Sequence, residues 1–165
     1  MPSESAFEPV WEDFIEKLGN MSVMNGSWYD YGTIKEDTRA SFELQTNPSR
    51  PDIFVDWGGT SGPTDDVVGD AMATGRFRHL EVAFVSFAVR DPGGKHRRMA
   101  FRIRQDVHAI EMVAAERKRG VSRAMTYDVA TDWVPGGEVE ATGGLLLLTY
   151  HLRWDHISGD QTTAG

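Results

Sequence analysis

Asn25-Gly26-Ser27-Trp28-Tyr29-Asp30-Tyr31-Gly32 is the stretch whose reading decides the fold. One Trp and two Tyr within four residues suit a pleated, half-buried surface, and Gly26 and Gly32 permit bends at its two ends. The stretch reads as the first strand of a sheet. It joins the one clear helix to a long run of strand-like sequence.

Upstream, Phe7, Trp11, Phe14, Ile15 and Leu18 form one apolar stripe at helical spacing, with Glu12, Asp13, Glu16 and Lys17 opposite. Pro9 suits the first turn, where its missing N–H is of least consequence, and Gly19 suits a left-handed stop. The spacing predicts a helix from Pro9 to Leu18, lying against a sheet or closing one end of a barrel.

Downstream, turn residues punctuate a succession of predicted strands. Ser27 to Ile34 is followed by Thr38 to Thr46, in which Ala40, Phe42 and Leu44 alternate with polar residues. After Asn47-Pro48-Ser49-Arg50-Pro51-Asp52 a strand begins at Ile53, and Gly58 to Asp66 is a loop. Asp65 to Ala73 fits either a short helix or an irregular rim. Phe77 to Val89 is apolar on both parities and should be covered on both sides. Asp91-Pro92-Gly93-Gly94 then turns the chain into Met99 to Val107, where Met99, Phe101, Ile103 and Val107 share one parity, which predicts a hairpin. His108 to Arg119 permits a helix, but strands are the favoured reading there. Val121 to Val129 continues the series, and Val139 to Trp154, broken at Gly143-Gly144, ends it.

The fold class is therefore mainly β: an antiparallel β-barrel or strongly curved cone of about eight strands with one N-terminal α-helix packed on it. Residues 1–165 read as a single domain, with 1–6 and 158–165 as loose tails.

The chain has no cysteine, which removes disulfides, zinc–thiolate sites and thiol nucleophiles together. The formal charge of -8 is uneven: residues 1–75 carry 14 acids against 4 Lys/Arg, whereas residues 95–123 carry 9 Lys/Arg against 3 acids. Nucleic acid is disfavoured as a partner by the overall sign. The basic band from Lys95 to Arg123 leaves one further class open, a protein that docks an acidic partner on that band. The polar, acidic start lacks a secretory signal and no apolar run reaches membrane-spanning length, so a cytoplasmic protein without membrane contact is expected, with a homodimer allowed.

A short N-terminal helix followed by Gly26-Ser27-Trp28 resembles the Gly-x-Trp signature of the calycins, the lipocalin-like β-barrels. The resemblance implies an Arg near the end of the last strand packed over that Trp at the closed end, and Arg153 stands where it is expected. The C-terminal helix and disulfides of secreted lipocalins are missing here. What the resemblance implies is a hollow barrel with Trp28 and Arg153 as its stopper.

Inside such a barrel, Asp30 shares parity with Trp28 and His151 shares parity with Arg153, so the first and last strands bring an acid and a base together. The expected function is binding of a small hydrophobic or aromatic molecule, with Trp28, Trp57, Tyr127, Tyr150 and Arg153 as ligand contacts. The alternative is a cofactor-free cyclase, isomerase or lyase in which Asp30 and His151 are the catalytic pair. No cofactor and no metal site is expected. His79 and Glu81 share a strand face and read as an exposed strand end beside Arg76 and Arg78. No Gly-x-Ser-x-Gly or phosphate-loop pattern is present.

Overall fold

The computed structural model of the protein describes residues 7–45, 49–60, 76–115, 125–138, 140–157 and 160–164. The ambiguous stretch at 65–73 lies outside them. Two strands of 15 residues, β3 (Arg76–Arg90) and β5 (Gly143–Ile157), form the spine of the sheet. They pair antiparallel throughout, from Arg76 opposite Ile157 to Arg90 opposite Gly143. On one side of this pair lie β2 (Ile53–Thr60) and then the short β1 (Ile34–Glu36), which runs parallel to β2. On the other side lies β4 (Met125–Pro135), and beyond its start β6 (Asp160–Ala164) pairs with the end of β5.

The result is a mainly β fold built on a mixed six-stranded sheet, with β1 and β4 as terminal strands of the order β1-β2-β3-β5-β4. Among the described residues the sheet is open, where closure of about eight strands was expected. Residues 160–164, read as part of a loose tail, are instead the strand β6.

Two helices, α1 (Glu8–Gly19) and α2 (His96–Ala115), cover one face. That face carries Ala83, Val85 and Phe87 of β3 beside Leu146, Leu148 and Tyr150 of β5, all buried. Val10, Phe14 and Leu18 of α1 and Ala100, Ile103 and Val107 of α2 pack onto it as one cluster. Helix α1 agrees with its expected span, but Gly19 is its last residue without a left-handed turn. Asn20 ends the helix in right-handed geometry, its N–H reaching the carbonyls of Glu16 and Lys17.

The largest correction concerns Met99 to Val107, predicted as a strand and found within α2. Ala100, Ile103, Val107 and Ile110 are spaced i, i+3, i+7 and i+10, a helical stripe that coincides with period two at several positions. Phe101, which the strand reading turned inward, is 65% exposed. No Gly or Pro interrupts Lys95 to Arg119, so nothing stops a helix once begun. The strands favoured for His108 to Arg119 are helix as far as Ala115, and 116–124 lie outside the described residues.

Ser27 to Ile34 is loop until Ile34, and side-chain carboxylates bind backbone N–H groups within it and just before it. Asp106 accepts the Trp28 N–H at 2.9 Å, Asp30 accepts the Val23 N–H at 3.0 Å, and Asp52 accepts the Thr33 N–H at 2.8 Å. Thr38 to Gln45, also predicted as strand, is an irregular segment that lays Ala40 and Phe42 over Phe54 and Ala88 on the far face of the sheet. The Ala40 N–H donates to the Ser86 hydroxyl at 2.9 Å, so Ser86 serves as a fastener. Thus β3 is covered on both faces, as its composition required, but by a loop on the second.

Candidate functional site: an aromatic cleft at the start of helix α1

Where β2 ends, Gly58 and Gly59 make an irregularity between Trp57 and Thr60. Gly59 has φ +92, and a Cβ on Gly58 would fall 2.6 Å from the Phe84 ring, so both positions need glycine. The bulge returns Thr60 to register opposite Glu81 of β3. Glu81 is buried, at 3% exposure, on the helix-covered face. Both carboxylate oxygens are occupied: Trp154 donates its indole N–H to Oε1 at 2.9 Å, and Trp57 donates to Oε2 at 2.8 Å. The Thr60 hydroxyl lies 2.8 Å from each oxygen. All three partners are donors, so the carboxylate acts as an acceptor only. The expectation of an exposed His79–Glu81 end is corrected: Glu81 is buried, and the His79 ring stacks on Trp154 at 4.6 Å.

This anchor holds Trp57 half in water, at 51% exposure. Across from it, the first turns of α1 present Phe7, Glu8, Trp11 and Glu12, and the turn after β1 presents Asp37, whose φ of 59 swings the chain around. These six residues line a cleft of ≈ 330 Å³. Phe7 lies 6.0 Å from Trp11 and 6.0 Å from Trp154 by ring centroids, so the aromatic wall continues to the Glu81 anchor. Trp11 directs its own indole N–H to Glu36 at 3.4 Å.

The expected ligand contacts are not brought together. Trp57 lines the cleft. Trp28 stands on the far loop, its indole N–H donated to Gln105 at 2.9 Å and the Arg102 guanidinium over its ring at 4.1 Å. The cation on Trp28 is thus Arg102 of α2. Arg153 is opposite Leu80 and Met125 in the sheet, and its side chain, like that of Tyr127, lies outside the described residues. Tyr150 is fully buried between Phe14 and His108, where a hollow was expected. Packed side chains, Phe87, Leu148 and Ile103 among them, fill the space between sheet and helices.

Asp30 and His151 do not form a dyad. Asp30 is exposed and bonds the Val23 N–H, whereas His151 of β5 is opposite Val82, on the sheet face turned away from the helices. Burial lowers the pKa of His151 below the ordinary histidine value. Above about pH 6.5 the group is neutral whether the chain is folded or not, and below that the unfolded chain takes the proton first. Stability is therefore expected to fall more steeply in the wild type than in His151→Gln as denaturation is compared between about pH 7.5 and pH 5.5. Equal slopes would assign His151 no part in the acid response.

The described part of the basic band is Lys95 and α2. Arg90, Lys95, Arg98 and Arg102 line a separate cleft of ≈ 420 Å³ together with Asp91. No group of three or more His, Asp or Glu arranged to hold a metal occurs among the described residues, and none of their helices is long and apolar enough to cross a membrane. The aromatic cleft was missed because Phe7 and Trp11 were assigned wholly to the core stripe. The signal available was their position at its N-terminal end, beside Glu8 and Glu12. No protein-family model matches the chain, and no curated protein matches it.

Proposed function

We propose that the protein binds a small molecule with a flat or apolar body in the cleft bounded by Phe7, Trp11 and Trp57. The observation that carries this reading is Trp57, a large aromatic side chain left half exposed yet held by a buried carboxylate. An indole with no task beyond packing gains nothing from a rigid tether while one face stays wet, whereas a binding wall gains preorganisation. The volume of ≈ 330 Å³ suits a compact ligand. Closure of the sheet into a barrel is not required, and the binding site moves from an enclosed lumen to the end of α1.

Glu81 is saturated by three donors, which favours binding over acid–base turnover at this place. Nile red, a neutral fluorophore, is expected to brighten on binding, with Trp57→Ala weakening that binding by about tenfold or more. The same substitution should lower the unfolding free energy by about 2–4 kcal/mol, from the buried half of the ring and the donor lost to Glu81. Unchanged dye binding in a folded Trp57→Ala protein would remove the cleft from consideration.

A further inference from the structure

We infer that the ligand of this cleft is a cation, of the methylated or quaternary ammonium class; this rests on the cleft being the binding site. The three tryptophans of the cleft and its back wall all turn their indole N–H groups to carboxylates: Trp11 to Glu36, Trp57 to Glu81 and Trp154 to Glu81. An indole that donates its N–H to an anion gains electron density in the ring, and the negative ring face that attracts cations is strengthened. A fourth indole, that of Trp28, donates instead to the neutral amide of Gln105.

The ionisable groups of the lining point the same way. Glu8, Glu12 and Asp37 stand on its rim, and no Lys or Arg is among the six residues that line it. Glu81 beneath the wall is buried and has no ion pair among the described residues. A buried carboxylate satisfied by neutral donors still projects its charge, and in a partly dry cleft that charge reaches further than in water. Among the described residues, Lys35 of β1 pairs with Asp52 at 3.3 Å and Arg39, in the segment after it, with Asp56 at 3.6 Å. An anion would meet the three rim carboxylates. A neutral guest would gain from the rings alone. A cation with apolar substituents gains from both the rings and the acids, and its methyl groups fill the apolar wall.

Three probes of one shape and different charge test the assignment on the full chain: choline, its neutral carbon isostere 3,3-dimethylbutan-1-ol, and the anion 3,3-dimethylbutanoate. Binding is followed by the indole N–H resonances in NMR, assigned by Trp→Phe replacement. Choline is expected to bind about tenfold more tightly than the neutral isostere, with the anion weakest, and to move the Trp11 and Trp57 signals. That preference should shrink in Glu12→Gln, which leaves the ring wall and the anchor intact. Equal binding of choline and the alcohol, or preference for the anion, overturns the charge assignment while the cleft reading survives through Nile red. Choline shifts confined to other tryptophans overturn it as well. If neither Nile red nor any of the three probes binds, the cleft reading falls and takes this inference with it.

Discussion

Asp106→Ala is expected to lower the unfolding free energy by about 2–4 kcal/mol. Asp106 is 5% exposed and holds the 21–31 loop against α2 through three contacts. Its two oxygens accept the Trp28 N–H at 2.9 and 3.1 Å, and Oδ2 accepts the Tyr31 hydroxyl at 2.6 Å. Burial, and then the bond to Asp106, hold the Tyr31 phenol well above its usual pKa range, so it stays a donor and needs an acceptor. Alanine supplies none. The Tyr31 hydroxyl then carries the full penalty of an orphaned buried donor, while the Trp28 N–H recovers part of its loss from water, since that residue is 48% exposed. For a chain of this size the loss corresponds to roughly 5–15 °C in Tm. Tyr31→Phe should cost less, because Asp106 keeps its backbone partner. The two substitutions together should cost less than their sum, since each removes the same bond. Full additivity by denaturant titration would show that the bond carries no coupling.

The same contact explains why the aromatic stretch from Trp28 to Tyr31 misled the reading of the fold. Its composition favours a pleated surface, but that preference expresses packing, and packing is available on a helix as well as on a sheet. Once Asp106 of α2 takes the Trp28 N–H and the Tyr31 hydroxyl, the stretch is fixed against the helix rather than laid in a ladder. The helix α2 was hidden for a related reason. Met99, Ile103 and Val107 satisfy both a two-residue and a helical period, and only Phe101 and Ala100 distinguish them. Placing the small Ala100 inside and the large Phe101 outside runs against the simplest hydrophobic ranking. By contrast, the stripe of Phe7, Trp11, Phe14, Ile15 and Leu18 has only the helical period and the run of β3 is apolar on both parities, and both elements lie where the residues place them.

Of the candidate site, Trp57 was legible as aromatic surface beyond what the core needs. Its partner was not. Glu81 sits in β3 between Leu80 and Val82, and a charged residue at that position reads as the solvent-facing member of an alternating pair. It is buried because two indoles and a hydroxyl from β2, β5 and the bulge converge on it, and convergence across three strands leaves no trace in local spacing. Arg153 was chosen as the cation over Trp28 from the order of elements, whereas Arg102 reaches that ring by lying one helical turn from Asp106.

Glu81→Gln separates the anchor from the wall it holds, and its effect on the cleft is expected to exceed its effect on folding. The amide keeps one acceptor oxygen and replaces the other with a donor. Trp154 is 5% exposed and cannot reach water, so the oxygen must face its indole N–H. The new amide N–H₂ then faces Trp57, two donors meet, and the half-exposed indole turns toward solvent, where its N–H finds water. The Thr60 hydroxyl can reverse and accept from the amide. The net stability loss is therefore about 1–2 kcal/mol, whereas Glu81→Leu, which also strands the Trp154 N–H, should cost nearer 3 kcal/mol. In NMR the Trp57 indole resonance should move to a solvent-exposed position while that of Trp154 holds, and choline affinity should fall by about tenfold or more as ring orientation and negative charge are lost together. Trp57→Phe separates the two contributions: it keeps a ring and the Glu81 charge but loses the tether, so it should retain part of the affinity. An unmoved Trp57 resonance in Glu81→Gln would mean that packing against the sheet, not the carboxylate, fixes the indole, and the ring would then owe its exposure to its place on β2 beyond the residues paired with β1.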